Sequence, residues 1–233
     1  SYTAKATRGQ MAYLFSRALP ASVLPSINNV QTLPDVTGST KYSQEIFSLY
    51  NAGVLTGSDV FGTFKPNDNI IRAEAAAILT RVALPEQRKT VVLMKQVQWG
   101  NAKIAVPQSA GAGVTENGYF SVSSQQDLCV AVANAATDKN FKGYNITKLF
   151  TPDSMSQMIA TAFSTNDVQF KNMGTKTVTF GALKAYRTTG SALFNEGNYN
   201  CVVYTYISGD TMSMILLMAY ENDIALQNMA NGL

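Results

Sequence analysis

Histidine does not occur in this 233-residue sequence. Its absence removes the usual general base near neutral pH and the commonest metal ligand. Cysteine is almost as scarce. Cys129 and Cys201 are too few for a disulfide framework, and they either pair across neighbouring strands or sit apart as small buried hydrophobes. No stretch approaches the roughly 20 apolar residues that a membrane span requires. No signal-peptide pattern opens the chain either, because Ser1-Tyr2-Thr3 runs directly into an amphipathic segment. If the protein is exported, the sequence is expected to be a trimmed piece that lacks the export signal. Residues 108–118 are rich in Gly, Ala and Ser but hold neither a GxGxxG nor a P-loop, so no phosphate chemistry is assigned to them.

What is present is ample apolar material: 46% of the residues are hydrophobic, enough to build packed cores. The length favours two modest domains. A net charge of +3 is too small to argue for nucleic acid, but its placement is uneven. Up to Lys89 there are nine Lys and Arg against six Asp and Glu; from Thr90 onward there are nine of each. The excess in the first part either suits an anionic partner or is a slightly basic solvated surface.

Three helices are predicted in that first part. Thr7 is an N-cap with Gln10 completing a capping box, and Met11, Leu14, Phe15, Ala18 and Leu19 form one apolar stripe that ends at Pro20. A second helix spans residues 42–50, with Tyr42, Ile46, Leu49 and Tyr50 on one face and Gly53 as its stop. After a turn-rich loop, a third helix begins near Ile71-Arg72-Ala73-Glu74 and buries Ala75, Ile78, Leu79 and Val82.

The order of these pieces carries a resemblance. Leu33-Pro34-Asp35-Val36, the Tyr42 helix, Ala52-Gly53-Val54-Leu55-Thr56-Gly57, Gly62-Thr63-Phe64-Lys65-Pro66 and Ile71-Arg72-Ala73-Glu74 together resemble one complete S-layer homology repeat. Thr7-Arg8-Gly9-Gln10-Met11-Ala12 resembles the closing helix of a preceding repeat. The spacing from Arg8 to Arg72 is slightly long for the family, with the extra length in residues 21–32. The resemblance covers residues 1–88.

For such a protein the family implies a cell-surface location in bacteria. It also implies a pseudo-threefold prism of three repeats that binds pyruvylated secondary cell-wall polysaccharide, a polymer linked to peptidoglycan. The arginine at the helix start contacts the anionic sugar, which makes Arg72 and Arg8 the candidate binding residues, with Asp35 and Gly57 supporting the loops. A helix N-terminus beside a guanidinium fork is well suited to a carboxylate. Three departures stand out. Ile71 replaces the motif's threonine, Gly9-Gln10 replaces Ala-Glu, and only one and a fraction repeats are present. An incomplete set would complete itself by self-association, and the plainer alternative is that Arg8 and Arg72 form ion pairs within the fold.

Residues 90–233 read as a second, α+β domain after a charged linker at residues 86–89. Strands are predicted at 90–99, 103–106, 119–122 and 128–132, and Thr151-Pro152-Asp153 opens a helix that buries Met155, Met158, Ile159, Ala162 and Phe163. A meander follows at 168–171, 175–180, 182–189, 199–207 and 212–220, with Ser208-Gly209-Asp210-Thr211 as a hairpin turn. A last helix from about Asn222 packs Leu226, Met229, Ala230 and Leu233. The sum is an antiparallel sheet with helices against one face, and this order is similar to the PsbP-like fold.

Function in this part stays open between a binding or scaffolding module, a wall-associated enzyme and an assembly module. No cofactor or metal is expected. An enzyme without histidine would draw on Asp127, Asp138, Asp153, Asp167, Glu196 or Asp210, on a cysteine, or on Ser109, and none of these has a motif spacing. Tyr186, Tyr199, Tyr204, Tyr206 and Tyr220 either form an exposed aromatic patch or pack across strands. The leading expectation is a non-catalytic surface protein.

Overall fold

The computed structural model describes residues 5–164, 168–194, 197–220 and 223–233. Asp167 and Glu196 of the candidate carboxylates, and the expected helix start at Asn222, lie outside the described residues. The chain divides into two compact units, Ser1–Leu93 and Met94–Leu233. Among the described residues no helix is long and apolar enough to cross a membrane.

The first unit is helical. Helix α1 (Arg8–Ala18) carries the expected capping box: the Gln10 N–H donates to Thr7 Oγ1 at 3.2 Å and the Thr7 N–H donates to Gln10 Oε1 at 2.9 Å. Its buried face differs from the predicted stripe. Gly9 and Ala12 are buried, whereas Leu14 is 57% exposed and Ala18 is also exposed. Helical periodicity selects a stripe of apolar residues, but which flank meets a neighbour depends on tertiary packing. Helix α2 (Ser43–Asn51) buries Ile46, Leu49 and Tyr50 as expected. Gly53 follows at φ 72°, where an added Cβ would lie 2.6 Å from the Ile27 side chain and 2.7 Å from the Lys89 carbonyl oxygen. Helix α3 (Arg72–Ala83) buries Ile78, but Leu79 is half exposed, contrary to its predicted place inside. The core gathers Ile46, Leu49, Tyr50, Val54, Phe64 and Ile78 with residues of the connecting loops.

The second unit is built on strands. A hairpin of β1 (Met94–Trp99) and β2 (Ala102–Pro107) stands as its own two-stranded sheet. The main sheet contains β3 (Val114–Glu116), β4 (Tyr119–Ser124), β5 (Cys129–Thr137), β6 (Val168–Phe180), β7 (Leu183–Phe194), β8 (Gly197–Ser208) and β9 (Thr211–Tyr220) in the antiparallel order β3-β4-β5-β9-β8-β7-β6. Strand β3 falls in the Gly-, Ala- and Ser-rich segment 108–118, where no strand is predicted; it is three residues long, all exposed, and leaves no apolar pattern to read. The two predicted strands at 168–171 and 175–180 are one strand, β6, interrupted by a register shift between Lys171 and Gly174. The Ser208–Thr211 hairpin is present, with Gly209 at φ 66°. Strand β9 is central, and Met214 to Leu217 are buried, as their apolar run implies.

Helices α4 (Ile146–Leu149) and α5 (Pro152–Phe163) cover one sheet face, where Ile146, Met155 and Ile159 pack on Tyr186, Cys201, Val203 and Leu216. Thr151 caps α5 as predicted, but Ala162 is exposed. Helix α6 (Asp223–Asn231) buries Leu226 and Met229 with Ala225. Tyr204 donates to the Ala230 carbonyl at 3.3 Å, and Tyr204 points away from Cys201 and Val203 by strand alternation. Helix α6 therefore lies on the opposite face from α4 and α5. The α+β class holds, while the helices divide between both faces. Apolar residues alternate on neither face of β8, which is buried continuously from Cys201 to Ile207, so its sequence does not say which side each helix takes.

Candidate functional site

The candidate site centres on the start of α3 and the loop before it. Asp35 lies in a tight turn closed by the Leu33–Val36 bridge. Its carboxylate reaches across the sequence: Oδ1 accepts the Phe64 N–H at 2.9 Å and Oδ2 the Lys65 N–H at 2.6 Å. Lys65 sits at φ 58°, a left-handed conformation that costs energy for a residue with a Cβ. The paired bonds from Asp35 hold it there. Phe64 is thereby locked into the core, its ring edge-on to Tyr50 at 6.1 Å.

Gly57 and Tyr50 organise the other end of the loop. Gly57 has φ 80°, and a Cβ there would lie 2.7 Å from Gly62 Cα. Tyr50 donates its hydroxyl proton to the Gly62 carbonyl at 3.0 Å, and burial pushes its pKa up against the lowering influence of Arg8. Between these points Asp59 accepts from the Phe61 and Thr63 N–H groups, both at 3.0 Å, and from the Thr63 hydroxyl at 2.5 Å. Partial burial opposes ionisation of Asp59, but these bonds outweigh it and hold the carboxyl below its usual range. Asp59 was not singled out in the sequence, although an Asp opening a Gly-containing turn is a recognisable signal.

The two arginines have different surroundings. Arg8 is enclosed, with its side chain 12% exposed. Its Nε donates to the Phe64 carbonyl at 2.6 Å, one terminal nitrogen pairs with Glu74, and the guanidinium lies over the Phe64 ring at 5.2 Å. Its backbone N–H also donates to the Asp68 carbonyl. Glu74, missed in the sequence, is the shared hub: one carboxylate oxygen takes Arg8, the other accepts the Ile71 N–H at 3.3 Å. That second bond is half of a capping box. Ile71 cannot supply the other half, because it has no side-chain acceptor.

Arg72 is the first residue of α3 and is exposed, with no hydrogen bond or ion pair among the described residues. The other arginines of this unit are committed internally. Arg17 pairs with Glu45 at 3.1 Å, Arg81 donates to the Val54 carbonyl, and Arg88 donates to the Arg81 and Val23 carbonyls. The structure thus brings Arg8 and Asp35 together on one segment, Phe64–Lys65. Gly57 shapes the far side of that loop, and Arg72 is left with a free guanidinium at a helix start.

In the second unit, the candidate catalytic groups are tied into local structure. Asp127 accepts from Ser109 and from Ser124, the latter at 3.1 Å. Asp138 accepts the Asn140 N–H, Asp153 lies in the first turn of α5, and Asp210 accepts from Thr211 in the hairpin. Cys129 and Cys201 are both free and buried. They lie on β5 and β8, separated by β9, so the alternative in which they pair does not hold, and burial pushes each thiol up to about 12. The tyrosines do not form one patch. Tyr186 faces α5 and donates to the Phe150 carbonyl, Tyr204 and Tyr206 pack with Phe180 on the other face, and Tyr199 packs on Tyr220. Among the described residues no cluster of acidic and cysteine side chains is arranged to hold a metal.

Residues 32–76 match the S-layer homology domain family, a span that takes in every signature from Leu33 to Glu74 and excludes the Thr7–Ala12 helix. The chain therefore carries an S-layer homology domain, a module of bacterial cell-wall and cell-surface association. No curated protein matches the chain. Among solved structures it is similar to cyanobacterial PsbP (CyanoP) from Synechocystis sp. PCC 6803, at 10% identity and TM-score 0.47, covering 59% of this chain and 89% of that one. It is also similar to LpqN of Mycobacterium tuberculosis, described as involved in cell envelope biogenesis, at 15% identity and TM-score 0.35, covering 60% and 86%. These are the weak PsbP-like likeness that the order of elements suggests, and no function passes across them.

Proposed function

We propose, taking the S-layer homology domain as the premise, that the first unit anchors the protein to an anionic secondary cell-wall polysaccharide, with Arg72 as the contacting cation. The observation that carries this reading is the free guanidinium of Arg72 at the first position of α3, in a unit whose other arginines are internally bonded. The helix N-terminus adds unpaired backbone donors and the favourable end of the macrodipole, so an acidic or pyruvylated sugar finds charge and directed hydrogen bonds in one place. Arg8 has a positioning role here. It fixes Glu74, and Glu74 fixes the first turn on which Arg72 stands.

The second unit is a non-catalytic binding or scaffolding module in this reading. Its carboxylates serve as caps and turn clamps, and its thiols are held in the unreactive neutral form. The test is co-sedimentation with purified bacterial cell walls before and after acid extraction of the secondary polymer. Anchoring predicts pelleting that disappears on extraction. Pelleting that survives extraction contradicts it.

A further inference from the structure

We propose that the second unit holds a binding site for a neutral saccharide, a reading that rests on the view of this unit as a binding module and names its ligand class. The site is a cavity of about 650 Å³ where the β1–β2 turn, the β6–β7 turn and the start of β9 come together. That size lies within the range of small-molecule sites, which runs from roughly 300 to 1,000 Å³. Trp99, Phe180 and Tyr206 give it aromatic walls, and Phe180 and Tyr206 are stacked with centroids 4.9 Å apart and planes at 23°.

The chemistry of the lining narrows the ligand. None of the side chains that line the cavity is Asp, Glu, Lys or Arg. An anionic ligand entering it would lose water without gaining a counter-charge from these side chains, which is costly. The polar groups are uncharged: Asn101, Ser208, Thr211 and Ser213. Thr211 is already engaged with Thr137 and Asp210, and Ser213 with Tyr206. The Asn101 amide and the Ser208 hydroxyl have no hydrogen-bond partner among the described residues, so both remain available as donors and acceptors. Both residues are exposed, so a purely apolar ligand would leave them to water and gain nothing from them. A pyranose ring meets both requirements: its C–H face carries slight positive charge and suits the negative face of an aromatic ring, and its rim offers hydroxyls to amide and hydroxyl partners. The molecule would then separate two recognitions, an acidic sugar at Arg72 and a neutral one at Trp99.

Trp99 is the chain's single tryptophan, so its emission reports on this cavity alone. The experiment titrates the whole chain with N,N′-diacetylchitobiose, cellobiose and maltose, and with galacturonic acid as the charged control. The expected result is a saturable change in Trp99 emission with at least one neutral disaccharide at millimolar concentration, weakened about tenfold by Phe180→Ala. Ala182→Asp places a charge on the exposed rim and is expected to weaken binding without disturbing the core, which covers the case of a Phe180→Ala protein that does not fold. Arg72→Ala leaves the response unchanged. No saturable response to any of the three neutral sugars overturns the inference, as does equal affinity for galacturonic acid or an unaffected Ala182→Asp protein. A chain that pellets with walls but shows no emission change loses this inference only; one that responds to sugar but does not pellet loses only the anchoring proposal.

Discussion

The two units of this protein hold their backbones by different means. In Met94–Leu233 the main sheet satisfies its own N–H and C=O groups through a continuous antiparallel ladder, and side chains are left to fill its two faces. In Ser1–Leu93 the chain between α2 and α3 is irregular, and polar side chains do the work of a ladder. Asp35 holds Phe64 and Lys65, Asp59 holds Phe61 and Thr63, Tyr50 holds Gly62, and Asn28 ties the Tyr50 and Lys89 carbonyls. A ladder spreads its stability over many equivalent bonds. A clamp concentrates it in one residue, so single substitutions in the first unit should cost more than comparable ones in the second.

Trp99 lies in the second unit, so its fluorescence follows that unit while far-UV circular dichroism also senses the helices of the first. The largest effect is expected from Gly57→Ala, which sets a Cβ against the Gly62 backbone at a positive φ; a loss of about 3 kcal/mol in the helical transition, with the Trp99 transition unmoved, is predicted. Asp35→Ala comes next, because it leaves the partly buried Phe64 N–H unpaired, gives the exposed Lys65 N–H to water and releases strained Lys65. About 2 kcal/mol in the same urea titration is the expected loss. If either variant shifts both transitions equally, the units are not held independently and the contrast fails.

A smaller effect sharpens the comparison from the other side. Ile71→Thr restores a capping hydroxyl to α3 and removes an isoleucine that is 61% exposed. Stabilisation of about 1 kcal/mol is expected, read as a higher midpoint of the helical transition. Smallest of all is the pH response of Asp59. Its folded pKa is depressed, so its contribution is fully present above the unfolded value and is lost as the pH falls through the folded one. Asp59→Asn should therefore narrow the stability gap to the parent protein in acid, measured as melting temperature against pH, and a gap that widens in acid would contradict the assignment.

Much of this was legible in the sequence, for reasons that differ between the units. Gly53 could be read because a helix stop is a local backbone need that few residue types can meet, whereas Asp35 and Gly57 were singled out only through the resemblance to the S-layer homology repeat. The meander and its Ser208–Thr211 hairpin could be read from alternation and turn chemistry. Leu14 and Leu79 were misplaced because periodicity identifies an apolar stripe without knowing whether a neighbour covers it. The position of α6 on the second face was hidden because β8 is apolar on both sides. The candidate site was half visible: Arg8 and Arg72 share a motif position, but only the fold reveals that Glu74 occupies Arg8 and leaves Arg72 free. The cavity at Trp99 was not visible at all, since its walls come from segments as far apart in sequence as Trp99 and Tyr206.

The claim that Arg72 binds while Arg8 positions is tested most directly by measuring wall pelleting and thermal stability together for Arg72→Ala and Arg8→Ala. The account predicts that Arg72→Ala abolishes pelleting with the melting temperature unchanged, because an exposed, unpaired side chain contributes little to stability. For Arg8→Ala it predicts a loss of roughly 2 kcal/mol of stability in the first unit, with pelleting weakened but not abolished at temperatures where that unit stays folded. An Arg72→Ala protein that pellets as well as the parent would contradict the account.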